Sequence, residues 1–134
     1  GKKVSSKIKC SIKNNICVFD SFNISENTIT AGGERELLVL TQILNTVCPD
    51  GGKISLIGYW DSEDQKDLSI EREMAIGRLL RENGLKNSVK FETVKAKKSN
   101  KKEDVFYDRY SPYRVEIHLN SADFFFFLDI KFLD

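Results

Sequence analysis

The chain has 134 residues, of which 40% are hydrophobic and 31% charged, and its net charge is +1. That length suits one domain able to bury a core of its own, and so small a net charge gives no global field to attract nucleic acid. No apolar run approaches the ~20 residues of a membrane-spanning helix; the longest, Phe124 to Leu128, has five.

Residues 1–6 are polar and basic and read as a flexible lead-in or a cloning remnant, leaving 7–134 as a single domain. No signal peptide is visible. The chain opens on Gly1 rather than Met, as a processed or excised fragment would. Lys7 to Ile12 alternates K-I-K-C-S-I, the pattern of a half-exposed strand. Asn14-Asn15 signals a turn, and Ile16 to Phe22 predicts a second, more apolar strand. Asn23–Gly33 has little pattern and reads as a loop.

Leu37, Leu40, Leu44 and Val47 recur at helical spacing, with Leu38 and Ile43 widening the stripe, so the first helix lies here and ends at Pro49-Asp50-Gly51-Gly52. Lys53 to Tyr59 predicts a strand. The second helix is expected from about Leu68 to Asn83, capped by Asp67, burying Ala75, Ile76, Leu79 and Leu80, and stopped by Gly84. Ser88 to Val94 alternates V-K-F-E-T-V as a further strand. Lys95 to Ser111 is long and polar, and Arg114 to Leu119 reads as the last core strand. The order β-β-α-β-α-β-loop-β predicts an α+β fold, two main helices packed on one face of a mixed sheet. For the tail, ADFFFFLDIKFLD, an added strand is the first expectation and a short helix the second. Its four consecutive Phe read as a packed core edge or, alternatively, as a homodimer contact.

Cys10, Cys17 and Cys48 have no metal-ligand spacing, and His118 is the only histidine, so neither a metal nor another cofactor is expected. Two cysteines could pair in an oxidising compartment, Cys17 with Cys48 or Cys10 with Cys17; three reduced thiols are the plain alternative. The acidic cluster of residues 61–73 fits no EF-hand loop. His118 has no serine or cysteine partner in a strained turn, which argues against an enzyme.

The stretch ISLIGYWDSEDQKDLSIER, Ile54 to Arg72, carries the strongest functional signal. It sets Asp61 at the C-terminal end of a strand and Arg72 at the start of the next helix, where α/β folds present ligand groups. The pair suits a zwitterion, Asp61 taking an ammonium and Arg72 gripping a carboxylate in two parallel hydrogen bonds. The plain alternative is a surface aspartate and an ordinary helix-start salt bridge. Tyr59 and Trp60 flank the aspartate, one expected to pack inward and the other able to offer an aromatic wall. The lysine cluster of 95–102 reads as a solvated loop.

These residues also resemble the signature of OmpA/MotB-type peptidoglycan-binding domains: G-H-T-D, a loop, then L-S-x-x-R-A opening a helix. The matching positions are Gly58, Asp61, Leu68, Ser69 and Arg72; Asn83-Gly84-Leu85 resembles the family's helix stop, and Tyr113-Arg114-Val115-Glu116-Ile117 its closing strand. The likeness covers about residues 16 to 120. It departs at Tyr59-Trp60, at Glu73 where the family has alanine, at the shorter loop before Leu68, and at Lys95-Ala96-Lys97-Lys98 where a Gly-x-Gly is expected.

The resemblance implies an OmpA-like sheet with an extra N-terminal strand, and a non-catalytic periplasmic domain that binds peptidoglycan. It further implies that Asp61 and Arg72 hold the diaminopimelate of the stem peptide, helped by the backbone around Ser69, by Arg114 and by Tyr59. Within the family, the extra N-terminal strand fits stator-like subunits such as flagellar MotB and SiiA-type secretion auxiliaries. Those are tethered to the inner membrane by an N-terminal helix and paired with a proton-channel subunit. The alternative is the same fold with wall binding lost, used for dimerisation or partner contact.

Overall fold

Sheet pairing and the helices that cover it follow directly from where the apolar residues fall. The computed structural model describes residues 9–11, 16–23, 26–96 and 114–119. The elements are β1 (Lys9–Ser11), β2 (Ile16–Phe19), α1 (Ala31–Val47), β3 (Lys53–Trp60), α2 (Glu63–Glu82), β4 (Ser88–Lys95) and β5 (Val115–His118). They form an α+β fold around one five-stranded mixed sheet of order β1-β2-β5-β3-β4. Only β3 and β4 run parallel, as the intervening α2 crossover requires; the other neighbours are antiparallel. The extra N-terminal strand is therefore present, as β1. The tail with its Phe run lies outside the described residues, as does most of the lysine cluster.

One cluster forms the core. Cys17 and Phe19 of β2, Ile54 and Leu56 of β3, and Val115 and Ile117 of β5 meet Leu37, Leu40, Ile43 and Leu44 of α1 and Ile76 and Leu80 of α2. Each such side chain contributes about 1.5–3 kcal/mol by leaving water. Strand residues alternate between the two sheet faces, so these same positions place both helices on one side.

Both helices begin earlier than the apolar pattern suggests. α1 starts at Ala31, because Thr30 is an extended N-cap whose Oγ1 accepts from the Gly33 N–H at 3.0 Å. Gly33 belongs to the helix and lets it close on the sheet: a Cβ there would lie 2.8 Å from Phe19 and from Ser21. α2 starts at Glu63, with Ser62 in the N-cap position and Glu63 and Asp64 in the first turn, where the helix dipole favours carboxylates. Asp67 is thus inside the helix rather than its cap. The stop at Gly84 is as expected, with φ +88 completing the turn.

α2 buries Ile76 and Leu80 as its pattern predicts, but also Ser69, Arg72 and Glu73, while Ala75 and Leu79 are half-buried. Cys17 is disulfide-bonded and Cys48 is a free thiol, which excludes the Cys17–Cys48 pair. In the strand register Cys10 lies directly opposite Cys17.

Candidate functional site

The layer between α2 and the β3–β4 pair changes character along its length. Low in the sheet it is apolar: Ile54 and Leu56 are buried in the core cluster with Ile76 and Leu80. Level with Leu56 on the neighbouring strand, Phe91 of β4 packs on Gly77 of α2, where an added Cβ would lie 2.5 Å from the ring. Next comes a polar layer, made by Gly58, Thr93, Ser69 and Glu73. A Cβ on Gly58 would fall 2.5 Å from Ser69 Oγ and 2.7 Å from Glu73 Oε2. Above it, Trp60 ends β3 and is buried. Asp61 follows in the bend before α2 and is exposed.

Glu73 is 1% exposed. Its Oε2 accepts from Thr93 Oγ1 at 2.6 Å and its Oε1 from the Glu92 N–H at 3.1 Å. Burial pushes its pKa from 4.5 to about 7, against the opposing pull of hydrogen bonds from Thr93 and from the Glu92 and Gly58 backbone. Ser69, 3% exposed, has no hydrogen-bond partner for its Oγ among the described residues.

Arg72 leaves the same helix in another direction. It is 2% exposed. Its Nε donates to the Glu26 carbonyl at 2.7 Å and its Nη2 to the Asn23 carbonyl at 3.3 Å, and its guanidinium lies 4.7 Å from the centre of the Phe22 ring. It therefore ties α2 to the segment leading into α1. On the neighbouring turn Asn27 Nδ2 donates to Glu71 at 3.3 Å, a second tie between the same two parts.

Tyr59 and Arg114 lie on the opposite face of the sheet. Tyr59 alternates away from Gly58, and Arg114 away from Val115, whose register partner is Gly58. The Arg114 guanidinium stands 5.5 Å from the Tyr59 ring centre, and both bind Glu116: Tyr59 Oη donates to Oε1 at 2.7 Å, and Arg114 Nη2 to Oε2 at 3.1 Å. His118 Nε2 lies 3.1 Å from the same Oε1. Burial opposes ionisation of Glu116, but hydrogen bonds from His118 and Tyr59 and the Arg114 charge outweigh it and hold the carboxyl below its usual range.

Of the five residues singled out by sequence, the structure brings together Tyr59 and Arg114 on one face of the sheet; on the other, Ser69 faces Gly58 while Arg72, on the same helix, turns to Glu26, Asn23 and Phe22. Asp61 sits at the strand end. Sequence reasoning named Glu73 and Glu116 without seeing them as buried carboxyls that gather other groups: Glu73 accepts from Thr93 and the Glu92 N–H, and Glu116 is met by Tyr59, Arg114 and His118. The only signal was spacing: Glu73 lies one helical turn from Ser69, and Glu116 two residues from both Arg114 and His118.

A cavity of about 440 Å³ opens elsewhere, between Asn27–Ile29 and the α2 residues Glu71, Met74 and Arg78. None of the five expected residues lines it. Among the described residues no group of three or more His, Cys, Asp or Glu is placed to hold a metal ion, and no helix is long and apolar enough to cross a membrane.

This arrangement defines a class: the fold is that of OmpA/MotB-type domains. The C-terminal domain of Helicobacter pylori MotB matches with a TM-score of 0.62 at 17% identity, covering 87% of this chain and 98% of that one. An outer membrane protein from Borrelia burgdorferi matches with a TM-score of 0.56 at 16% identity, covering 87% and 100%. The OmpA-like domain of FopA1 from Francisella tularensis matches at 0.50 and 14%, covering 82% and 75%. No protein-family model and no curated protein matches the sequence.

Proposed function

We propose that this is a non-enzymatic cell-envelope domain that binds peptidoglycan, holding the diaminopimelate of the stem peptide at the end of β3. The observation that carries the reading is the contact of Gly58 with Ser69 and Glu73. It fixes the strand end bearing Asp61 against the helix bearing Arg72, in the order that the peptidoglycan-binding signature requires. Asp61 is exposed and supplies the anionic half of the site. Ser69 supports the backbone beside it, while Tyr59 and Arg114 act from the far face through the strand they brace.

The likeness to MotB periplasmic domains supports a periplasmic setting. In this reading the domain anchors a membrane complex, tethered at the inner membrane by a preceding helix beside a channel subunit.

A specific observation favours a second reading. The Arg72 guanidinium is already committed to the carbonyls of Asn23 and Glu26 and to the Phe22 ring. With Arg72 acting as a structural tie, the domain is an interaction module that keeps the fold, homodimerises or contacts a protein partner, and does not grip the wall.

Sedimentation with purified sacculi separates the two. Asp61→Asn is the cleaner variant, because Asp61 is exposed. Wild-type binding that this substitution abolishes supports the first reading. Absence of wild-type binding, or binding that the variant keeps in full, overturns it.

A further inference from the structure

Lys66, in the first turns of α2, and Lys95, the last residue of β4, converge on one indole. Their ammonium groups lie 5.3 and 5.6 Å from the centre of the Trp60 ring. The backbone makes the arrangement a built one. Trp60 and Lys95 are register partners at the end of the parallel β3–β4 pair, and the Ala96 N–H donates to the Trp60 carbonyl at 2.7 Å. Lys66 comes from the helix that begins three residues after Trp60. The face of the indole offsets part of the mutual repulsion, and the lysine stems cover the buried ring while both side chains stay exposed.

Glu63, Asp64 and Asp67 share the first turns of α2 with Lys66, yet among the described residues neither lysine is in an ion pair. Two exposed ammonium groups held on the ring of the residue that precedes Asp61 suit a carboxylate of whatever Asp61 binds.

We propose that Lys66 and Lys95 form a carboxylate subsite beside Asp61, which reads the free α-carboxylate of the γ-linked glutamate preceding diaminopimelate in the stem peptide. The inference rests on the peptidoglycan reading above and deepens it. Asp61 takes the ammonium of the diaminopimelate, and the lysine pair takes the neighbouring carboxylate. The subsite therefore discriminates between stem peptides with a free glutamate carboxylate and those in which it is amidated.

Trp60 is the single tryptophan of the chain, so its fluorescence reports on the subsite directly. The experiment titrates two soluble muropeptides, one carrying the free glutamate and one the isoglutamine, into wild type, the Lys66→Gln/Lys95→Gln double variant and Asp61→Asn. Wild type is expected to prefer the free acid by roughly five- to tenfold, the range for two exposed charge pairs, with a change in Trp60 emission. The double variant should bind both muropeptides at the amidated level, and Asp61→Asn should weaken both alike. Each single lysine variant should lose part of the preference, and unchanged melting curves should show that folding is intact. Equal wild-type affinities, or a preference that survives in the double variant, would overturn the subsite while leaving wall binding standing. Failure of both muropeptides to bind wild type removes the peptidoglycan reading, and the subsite with it.

Discussion

Glu73 and Gly58 are in such close contact that position 58 has no space for a methyl group. A Cβ there would lie 2.7 Å from Glu73 Oε2, with Ser69 Oγ at 2.5 Å on the same side. Helix α2 thus approaches β3 to a separation that only glycine permits. Gly58→Ala is expected to destabilise the domain by about 1–3 kcal/mol, the usual cost of overpacking a tight interior. Urea unfolding measures it; an unchanged midpoint would mean that α2 can shift outward without loss.

The buried Glu73 carboxyl sets a pH dependence of a particular sign. Its folded pKa is raised, from 4.5 to about 7. The neutral form suits the folded state, so this contribution is fully present below about pH 4.5 and is lost as pH rises through about 7. The loss is about 3 kcal/mol as an upper bound. Glu73→Gln should remove that slope, leaving the variant relatively more stable at pH 8 than at pH 5. Unfolding of both proteins across this range checks it, and parallel curves would refute the assignment.

Glu116 acts in the opposite direction. Its folded pKa is lowered, so its stabilisation is present above its unfolded value of 4.5 and fades as pH falls through the depressed one. Tyr59→Phe removes a 2.7 Å hydrogen bond to this carboxylate and should cost about 1.5–3 kcal/mol. Glu116→Ala removes the carboxylate that pairs with the buried Arg114 guanidinium and should cost about 3–5 kcal/mol. Thermal melts of the two variants side by side test that ordering.

Arg72→Ala should destabilise by about 1–3 kcal/mol, because two carbonyl acceptors and the Phe22 ring lose one partner together. Arg72→Lys should recover little of it, since an ammonium cannot span Glu26 and Asn23 as the planar fork does. Hydrogen exchange gives the readout: faster exchange at the Thr30 N–H, whose bond to Ser21 O closes the segment before α1, is expected in both variants.

The elements were largely legible in the chain because their signals are local. Leu37, Leu40 and Leu44 announce α1 by period, Gly84 announces the end of α2, and V-K-F-E-T-V announces β4 by alternation. The starts of α1 and α2 were misjudged because the helices open ahead of the apolar pattern, at the Thr30 cap and at the extended Ser62, whose side chain makes no capping bond. The candidate site was half legible. Asp61 and Arg72 stand out by their place at a strand end and a helix start, but nothing local says where a guanidinium will point.

Short-range pattern is enough for the α+β class, the two amphipathic helices and the strand–bend–helix unit around Asp61, since each depends on residues within a few positions of one another. The polar partners are a matter of packing. Arg72 meets a carbonyl 46 positions away, Tyr59 a carboxylate 57 positions away, and Glu73 a threonine 20 positions away on the next strand. A buried polar group must find its complement wherever folding brings one within about 3 Å, and that choice belongs to the packed layers, not to any stretch of chain.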